Sequence, residues 1–301
     1  MSTRSWHREM RPGTSYYHLT MVDFDTADIR RYYDRNTAAF VAYGQGGDVG
    51  AIHRPVWGEQ VDNPDAAFHY VEDRIVDHLL TLGDESTQLH VIDLGCGVGS
   101  SLCYLATRLP IQGTGLTLSP VQVRHAENRI RKAGLVDRVV CREGDFCTPP
   151  DDLSPADLTY AIESFVHGPD PAQFFAACAR LTRSKGLLVV CDDFQRQTES
   201  ARAVRTLEQF RHGWHLNTLI RLSELHAFAT AAGFDAVSVD DLTPHLKLHR
   251  RRDRTLAAFI ALFGWFPLDR TRFSHLVGGN ALRSCLLNGW IGYDLAVFRR
   301  R

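Results

Sequence analysis

The sequence predicts an α/β chain, a doubly wound, mostly parallel sheet of seven strands with helical lid insertions. Three observations predict it. Seven short apolar runs, at 89–94, 112–116, 138–142, 157–162, 186–191, 235–240 and 292–298, alternate with helix-periodic segments at 99–108, 119–133, 171–182 and 222–232. The first run, Val91-Ile92-Asp93-Leu94, ends in Gly95-Cys96-Gly97-Val98-Gly99 and passes straight into a helical pattern, which reads as strand, tight turn and helix N-terminus. With 301 residues, 44% of them hydrophobic, the chain can bury a full core. Such alternation places helices on both faces of a Rossmann-like sheet, and the last strand can run antiparallel.

Residues 1 to about 25 carry Pro, Gly, Ser and Thr without periodicity and read as a loose arm. From Thr26 to Tyr43, Ile29, Tyr32, Tyr33, Phe40 and Val41 fall at helical intervals after an acidic start, so a helix is expected there. Gly44-Gln45-Gly46-Gly47-Asp48 ends it, and a loop follows at 50–58 that holds Ile52, His53, Arg54, Pro55, Val56 and Trp57. A second amphipathic helix spans Asn63 to Leu82, with Phe68, Val71, Ile75, Leu79 and Leu80 on one face. Two stretches fall outside the alternation, Gln195–Thr218 and Leu242–Trp290. With residues 26–82 they supply a lid over the strand ends, where open α/β sheets bind ligands. The expected division is an N-terminal arm and helical lid at 1–82 and a core at 83–301 with insertions at 195–218 and 242–290.

A net charge of −1 gives no global field toward nucleic acid or a membrane surface. Seven cysteines without a C-x-x-C pair read as reduced core residues. The N-terminus lacks an apolar signal core and no window is apolar enough to cross a membrane, so a soluble, cytoplasmic protein with small-molecule partners is expected. Homo-oligomerisation is left open.

The glycine turn lets backbone approach a ligand closely and offers N–H groups at a helix start. It is not a dinucleotide fingerprint, because Ser100 stands where the third glycine belongs and the second strand, ending in Thr117-Leu118-Ser119, carries no acid for a ribose. Thr117 and Gln122 can hydrogen-bond ribose hydroxyls instead, and Ser119-Pro120 reads as a helix cap and first turn. After the third strand, Asp145 suits an adenine amino group and Phe146 its ring, although an acid there also forms turns. Glu163 ends the fourth strand, where partial desolvation raises a carboxyl pKa unless a cation is near and makes it a general-base candidate; the bland alternative is a solvated strand-end acid. Phe210 and Trp214 in the first insertion can shield a cation, or simply pack the lid. The run 245–254 can hold a phosphate or form a solvated helix face. Its histidines, like His212 and His215, lack the third ligand of a zinc site, and no metal ligands are assigned.

The patterns VIDLGCGVG, GLTLSPVQ, EGDF and AIES resemble class I S-adenosylmethionine-dependent methyltransferases, within them the C-methyltransferases of sterols, tocopherols and prenyl diphosphates. Tyr32-Tyr33-Asp34-Arg35-Asn36-Thr37, the GAIHRPVWG loop, AIESFVHGPD and His212-Gly213-Trp214-His215-Leu216-Asn217 resemble segments of bacterial geranyl diphosphate C-methyltransferases. The resemblance implies methylation of an alkene, a carbocation shielded by Phe210 and Trp214, and proton removal by Glu163. It implies S-adenosylmethionine bound by Tyr32, Asp93, Gly95, Gly97, Thr117, Gln122, Asp145, Phe146 and Ala161. For an isoprenoid substrate it offers Tyr33, Arg35, Asn36, His53, Arg54, Trp57, Phe165, His215 and Asn217, with Mg2+ entering through the substrate diphosphate. Two alternatives stay open, a methyltransferase for a non-phosphorylated terpenoid, sterol or phenol, and a non-catalytic binding protein.

Overall fold

The computed structural model describes residues 24–43, 52–198, 200–248 and 274–301. The expected arm up to residue 23, the glycine break at 44–48 and the basic positions 249–254 lie outside the described residues. The strands are β1 (His90–Leu94), β2 (Gln112–Thr117), β3 (Val139–Glu143), β4 (Ala156–Ile162), β5 (Thr182–Gln195), β6 (Phe234–Asp241) and β7 (Ile291–Arg300). They form one seven-stranded sheet in the order β3-β2-β1-β4-β5-β7-β6. Only β7 runs antiparallel to its neighbours, as the sequence allowed.

Successive residues of the central strands enter opposite cores. Val91, Leu158, Tyr160, Val189 and Val297 lie in one apolar cluster, while Ile92, Leu94, Ala161, Val190 and Phe298 lie in the other. Burial on both faces is what makes these strands read as continuous apolar runs. Helices α2 (Pro64–Leu80), α4 (Pro120–Lys132) and α5 (Pro171–Leu181) each begin at an X-Pro pair whose first residue caps the helix. Asn63, Ser119 and Asp170 accept the N–H of Ala66, Gln122 and Ala172 at 2.9, 3.1 and 2.8 Å. Each cap is worth about 1 kcal/mol and fixes where its helix starts. Among the described residues the other α-helices are α1 (Thr26–Tyr43), α3 (Ser100–Arg108), α6 (Ala201–Trp214), α7 (Leu222–Ala231) and α8 (Ser274–Leu287).

Two differences from the sequence reading bear on the site. Strand β5 continues past Cys191 through Asp192 and Asp193 to Gln195, because β7 pairs with it as far as Ile291 and supplies the ladder that the charged residues hide. The two insertions contain α6 and α8, which cross closely enough that a Cβ on Gly278 would lie 2.8 Å from the Gly213 Cα. The chain runs from β1 to β2 and β3 on one side and returns to β4 on the other, so a crevice opens at the carboxyl ends of β1 and β4. The glycine turn and Glu163 lie there. Among the described residues no helix is long and apolar enough to cross a membrane, and all seven cysteines are free and buried.

Candidate active site

The crevice is a cavity of about 700 Å3. At one end the glycine turn is lashed to β2 by the N–H groups of Gly95 and Cys96, which both donate to the Leu116 carbonyl at 2.9 and 2.8 Å. Gly95 has φ 99°, and a Cβ there would collide with the Ser164 side chain. Gly99, at φ 72°, opens α3, and its N–H returns to the Cys96 carbonyl at 2.8 Å. Gly95, Gly97, Ser100 and Ser101 thus line the cavity. Asp93 lies beside them, 4% exposed, with the Tyr160 hydroxyl donating to it at 2.8 Å. Burial pushes its carboxyl up to about 7 although the Tyr160 hydrogen bond opposes this.

Thr117, Gln122, Asp145 and Phe146 line the same end. The Thr117 hydroxyl donates to the Gln122 side-chain carbonyl, so the two form one polar wall. Asp145 accepts the Cys147 N–H at 2.8 Å, so it shapes the turn and also faces the cavity. Phe146 packs edge-on against Phe174 at 5.7 Å.

At the end of β4, Glu163 adopts a left-handed backbone conformation with φ 49°, and among the four described non-glycine residues with positive φ it is the one on the cavity wall. Its N–H donates to the Cys191 carbonyl at 2.9 Å. Its Oε1 accepts both the backbone N–H and the Nε–H of Arg54, each at 2.9 Å. Burial pushes the Glu163 carboxyl up, but Arg54 and His53 outweigh it and hold the group below the ordinary carboxylate range. The sequence reading of a base raised by desolvation is corrected on this point, because the cation it made an exception for is present. Arg54 also donates from Nη1 and Nη2 to the two carboxylate oxygens of Asp193, each at 3.0 Å, and lies 4.0 Å from the centre of the Tyr293 ring. Its guanidinium therefore serves two carboxylates rather than standing open to a substrate anion.

His53 lines the cavity, but its Nε2 meets Glu72 Oε1 at 2.8 Å, an oxygen that also accepts from Ser101 at 2.8 Å. Burial lowers the His53 pKa, and the Glu72 charge overrides it and lifts it to about 9. Tyr33 meets His167 Nε2 at 2.7 Å, while His167 Nδ1 lies 3.1 Å from the His215 carbonyl. Burial pushes His167 down to about 4, so the neutral ring donates from Nδ1 to that carbonyl and accepts the Tyr33 hydroxyl at Nε2.

The far wall comes from the insertions. Phe210 and Trp214 project from α6 one turn apart, beside Leu282, Arg283 and Leu286 of α8 and the segment Leu246-Lys247-Leu248. Arg283 donates through Nε to the Leu248 carbonyl at 2.6 Å, which ties α8 to that segment. Sequence reasoning missed Asp192, Asp193, His167, Asn280 and Arg283 as wall residues. The acids follow an apolar run as Glu163 does, so the same signal marks them; Asn280 and Arg283 carry no local sign.

Seven expected residues do not line the cavity. Arg35 is exposed on the opposite side of α1. Tyr32 is buried against the His215 ring at 4.6 Å, and His215 in turn sits 4.4 Å from Phe24. Asn217 clasps the backbone of Phe24 through its amide oxygen and nitrogen at 2.8 and 2.9 Å, so it anchors α1. Phe165 packs on Phe174 at 4.9 Å in the core, and Ala161 is wholly buried in β4. Trp57 stands behind the wall, with the Lys247 ammonium 2.9 Å from its ring centre.

The cradle at Gly95 and Gly97, the adjoining Asp93 and the polar wall with Phe146 fit a nucleoside cofactor, which these residues would hold. Among the described residues no group of three acids, histidines or cysteines is placed to hold a metal ion. Residues 92–190 match the family model described as Methyltransferase domain. Methyltransferase GfsG of Streptomyces halstedii is 28% identical over 226 residues, which are 74% of this chain and 78% of that protein. The structure of the 4+2 cyclase SpnF matches with a TM-score of 0.72 at 21% identity, covering 93% of this chain and 97% of that one. Geranyl diphosphate C-methyltransferase from Streptomyces coelicolor A3(2), in complex with Mg2+, geranyl-S-thiolodiphosphate and S-adenosyl-L-homocysteine, matches with a TM-score of 0.66 at 20% identity, covering 92% and 98%. Structural likeness at these identities is likeness of fold.

Fold, glycine turn and the methyltransferase-domain match over residues 92–190 together support a class I S-adenosylmethionine-dependent methyltransferase. Its fold resembles that of the geranyl diphosphate C-methyltransferase as it does that of the cyclase. The match to a cyclase means that the acceptor has to be read from the cavity.

Proposed function

We propose that the chain transfers the methyl group of S-adenosylmethionine to an alkene carbon of a prenyl diphosphate, geranyl diphosphate first among them, and that Glu163 takes the proton from the resulting carbocation. One observation carries this reading: a carboxylate in a left-handed turn shares a largely apolar cavity with the cofactor cradle, Phe210 and Trp214. An alkene is a weak nucleophile, so the site has to orient it against the sulfonium methyl, exclude water and tolerate positive charge. An aromatic face near a cation contributes about 0.5–2 kcal/mol. A carbocation is acidic enough that a carboxylate held ionised accepts its proton, so the lowered Glu163 pKa is compatible with the role.

On the insertion side Arg283, whose Nε is tied to Leu248, is the wall cation that would meet the diphosphate, since the Lys247 ammonium sits on the Trp57 ring. Magnesium would enter with that diphosphate as its counter-ion. Helix α1 and residues 52–55 act as a lid on the sheet, with Thr26, Ile29, Tyr33 and Asn36 of α1 contributing to the wall.

The test is incubation with labelled S-adenosylmethionine and isopentenyl, geranyl and farnesyl diphosphates or geraniol, with and without magnesium. Labelled product from geranyl diphosphate, promoted by magnesium, supports the reading. Product from geraniol alone, indifferent to magnesium, overturns it in favour of a non-phosphorylated acceptor.

A further inference from the structure

Arg54 has two attachments that a phosphate ligand would not need. Its backbone N–H and Nε–H converge on one oxygen of Glu163, and its two terminal nitrogens run in parallel to the two oxygens of Asp193. A planar guanidinium matches a carboxylate in this two-pronged way, and a lysine ammonium cannot. The plane is fixed on a further side by Tyr293, which is the register partner of Asp193 across β5 and β7. Glu163 hangs on the same strand through its N–H bond to the Cys191 carbonyl, two residues before Asp193.

We propose that Asp193 and Arg54 are positioning residues for Glu163: Asp193 holds Arg54, and Arg54 pins Glu163 Oε1 so that Oε2 is presented to the reacting carbon skeleton. The inference rests on the proposed function for what Glu163 then does. In that reaction the alkene π pair forms the new C–C bond to the methyl carbon as the S–CH3 bond breaks and the sulfide leaves. A C–H bond next to the cationic carbon then breaks, its electron pair closes a new C=C bond, and its proton goes to Oε2. The cation is short-lived, so the orientation of the base decides which proton leaves and whether water captures the cation first.

Asp193→Asn and Arg54→Lys test it, by crystallography and by kinetics with product identification. In the Asp193→Asn crystal the Glu163 carboxylate should leave its place while β5 and β7 stay unchanged. Turnover in both variants should drop on the order of 100-fold, as for a reacting group displaced by about 1 Å. The KM for the prenyl diphosphate should stay within about threefold, and new alkene isomers or a water-trapped alcohol should appear, which a loss of binding or of folding would not produce. Asp193→Glu should restore part of the turnover. Glu163 in its original place in the Asp193→Asn crystal overturns the proposal, as does an Arg54→Lys enzyme with raised KM and normal turnover. Absence of alkene methylation in the unsubstituted enzyme would sink the functional reading, while the crystal comparison would still decide whether Asp193 places Glu163.

Discussion

At one end of the cavity Gly95, Gly97 and Gly99 shape the wall with backbone from nine consecutive residues of one turn and its strand. At the other, Tyr33, Arg54, Phe210 and Arg283 reach the wall as side chains from four segments more than twenty residues apart. The difference teaches how each end fixes its ligand. A backbone cradle holds one shared cofactor and tolerates almost no substitution, whereas a side-chain wall can be rebuilt for a new acceptor without touching the sheet. Between them lies the buried His53–Glu72 pair, which touches Ser101 on the cofactor side and adjoins Arg54 on the acceptor side.

The largest effect should separate the two ends. Glu163→Gln should lower turnover by about 10²–10⁴-fold while the dissociation constant for S-adenosylmethionine, measured by calorimetry, stays unchanged; equal weakening of both would mean that the ends are not independent. Breaking the link should damage both. Glu72→Ala leaves a buried imidazolium unpaired and should destabilise the fold by about 3–5 kcal/mol in denaturant titrations.

The same pair sets a pH dependence. The folded His53 pKa of about 9 lies above its ordinary value, so its contribution to stability is complete below about 6.5 and is lost as pH rises through about 9. The melting temperature should fall across that window, and should fall less in a His53→Gln variant. On the cofactor side alone, Gly95→Ala must place a Cβ at positive φ against Ser164, and should destabilise by roughly 2–4 kcal/mol and weaken cofactor binding. The smallest effect is expected at Arg35→Ala, which should change stability by no more than about 0.5 kcal/mol and leave both KM values unchanged, because the side chain points away from the wall.

That contrast also explains what the sequence made legible. The cofactor end is local, so its turn, strand and helix appear as one motif, and the positions that line it, from Asp93 to Phe146, follow the carboxyl ends of the first three strands. Helix α1 was readable to the residue, but its cavity face was not fully so. Thr26, Ile29, Tyr33 and Asn36 recur at three- and four-residue steps and face inward, whereas Tyr32 and Arg35, one residue away, are rotated by about 100° onto other surfaces. The far wall was hidden for a different reason. Helices α6 and α8 lie more than fifty residues apart in sequence and pack closely where Gly278 meets Gly213, which no local pattern announces. The ion pairing of Arg54 was equally invisible, since β5 contributes Asp193 only because β7 extends the strand beneath it.

The most direct test of the account uses S-adenosylmethionine carrying a 13C methyl group and geranyl diphosphate, with the product read by 13C NMR. The account predicts a methyl signal of carbon-bound type on a homologated diphosphate that keeps two double bonds. A signal of oxygen-bound type, or label found only on an acceptor without the diphosphate, would contradict it.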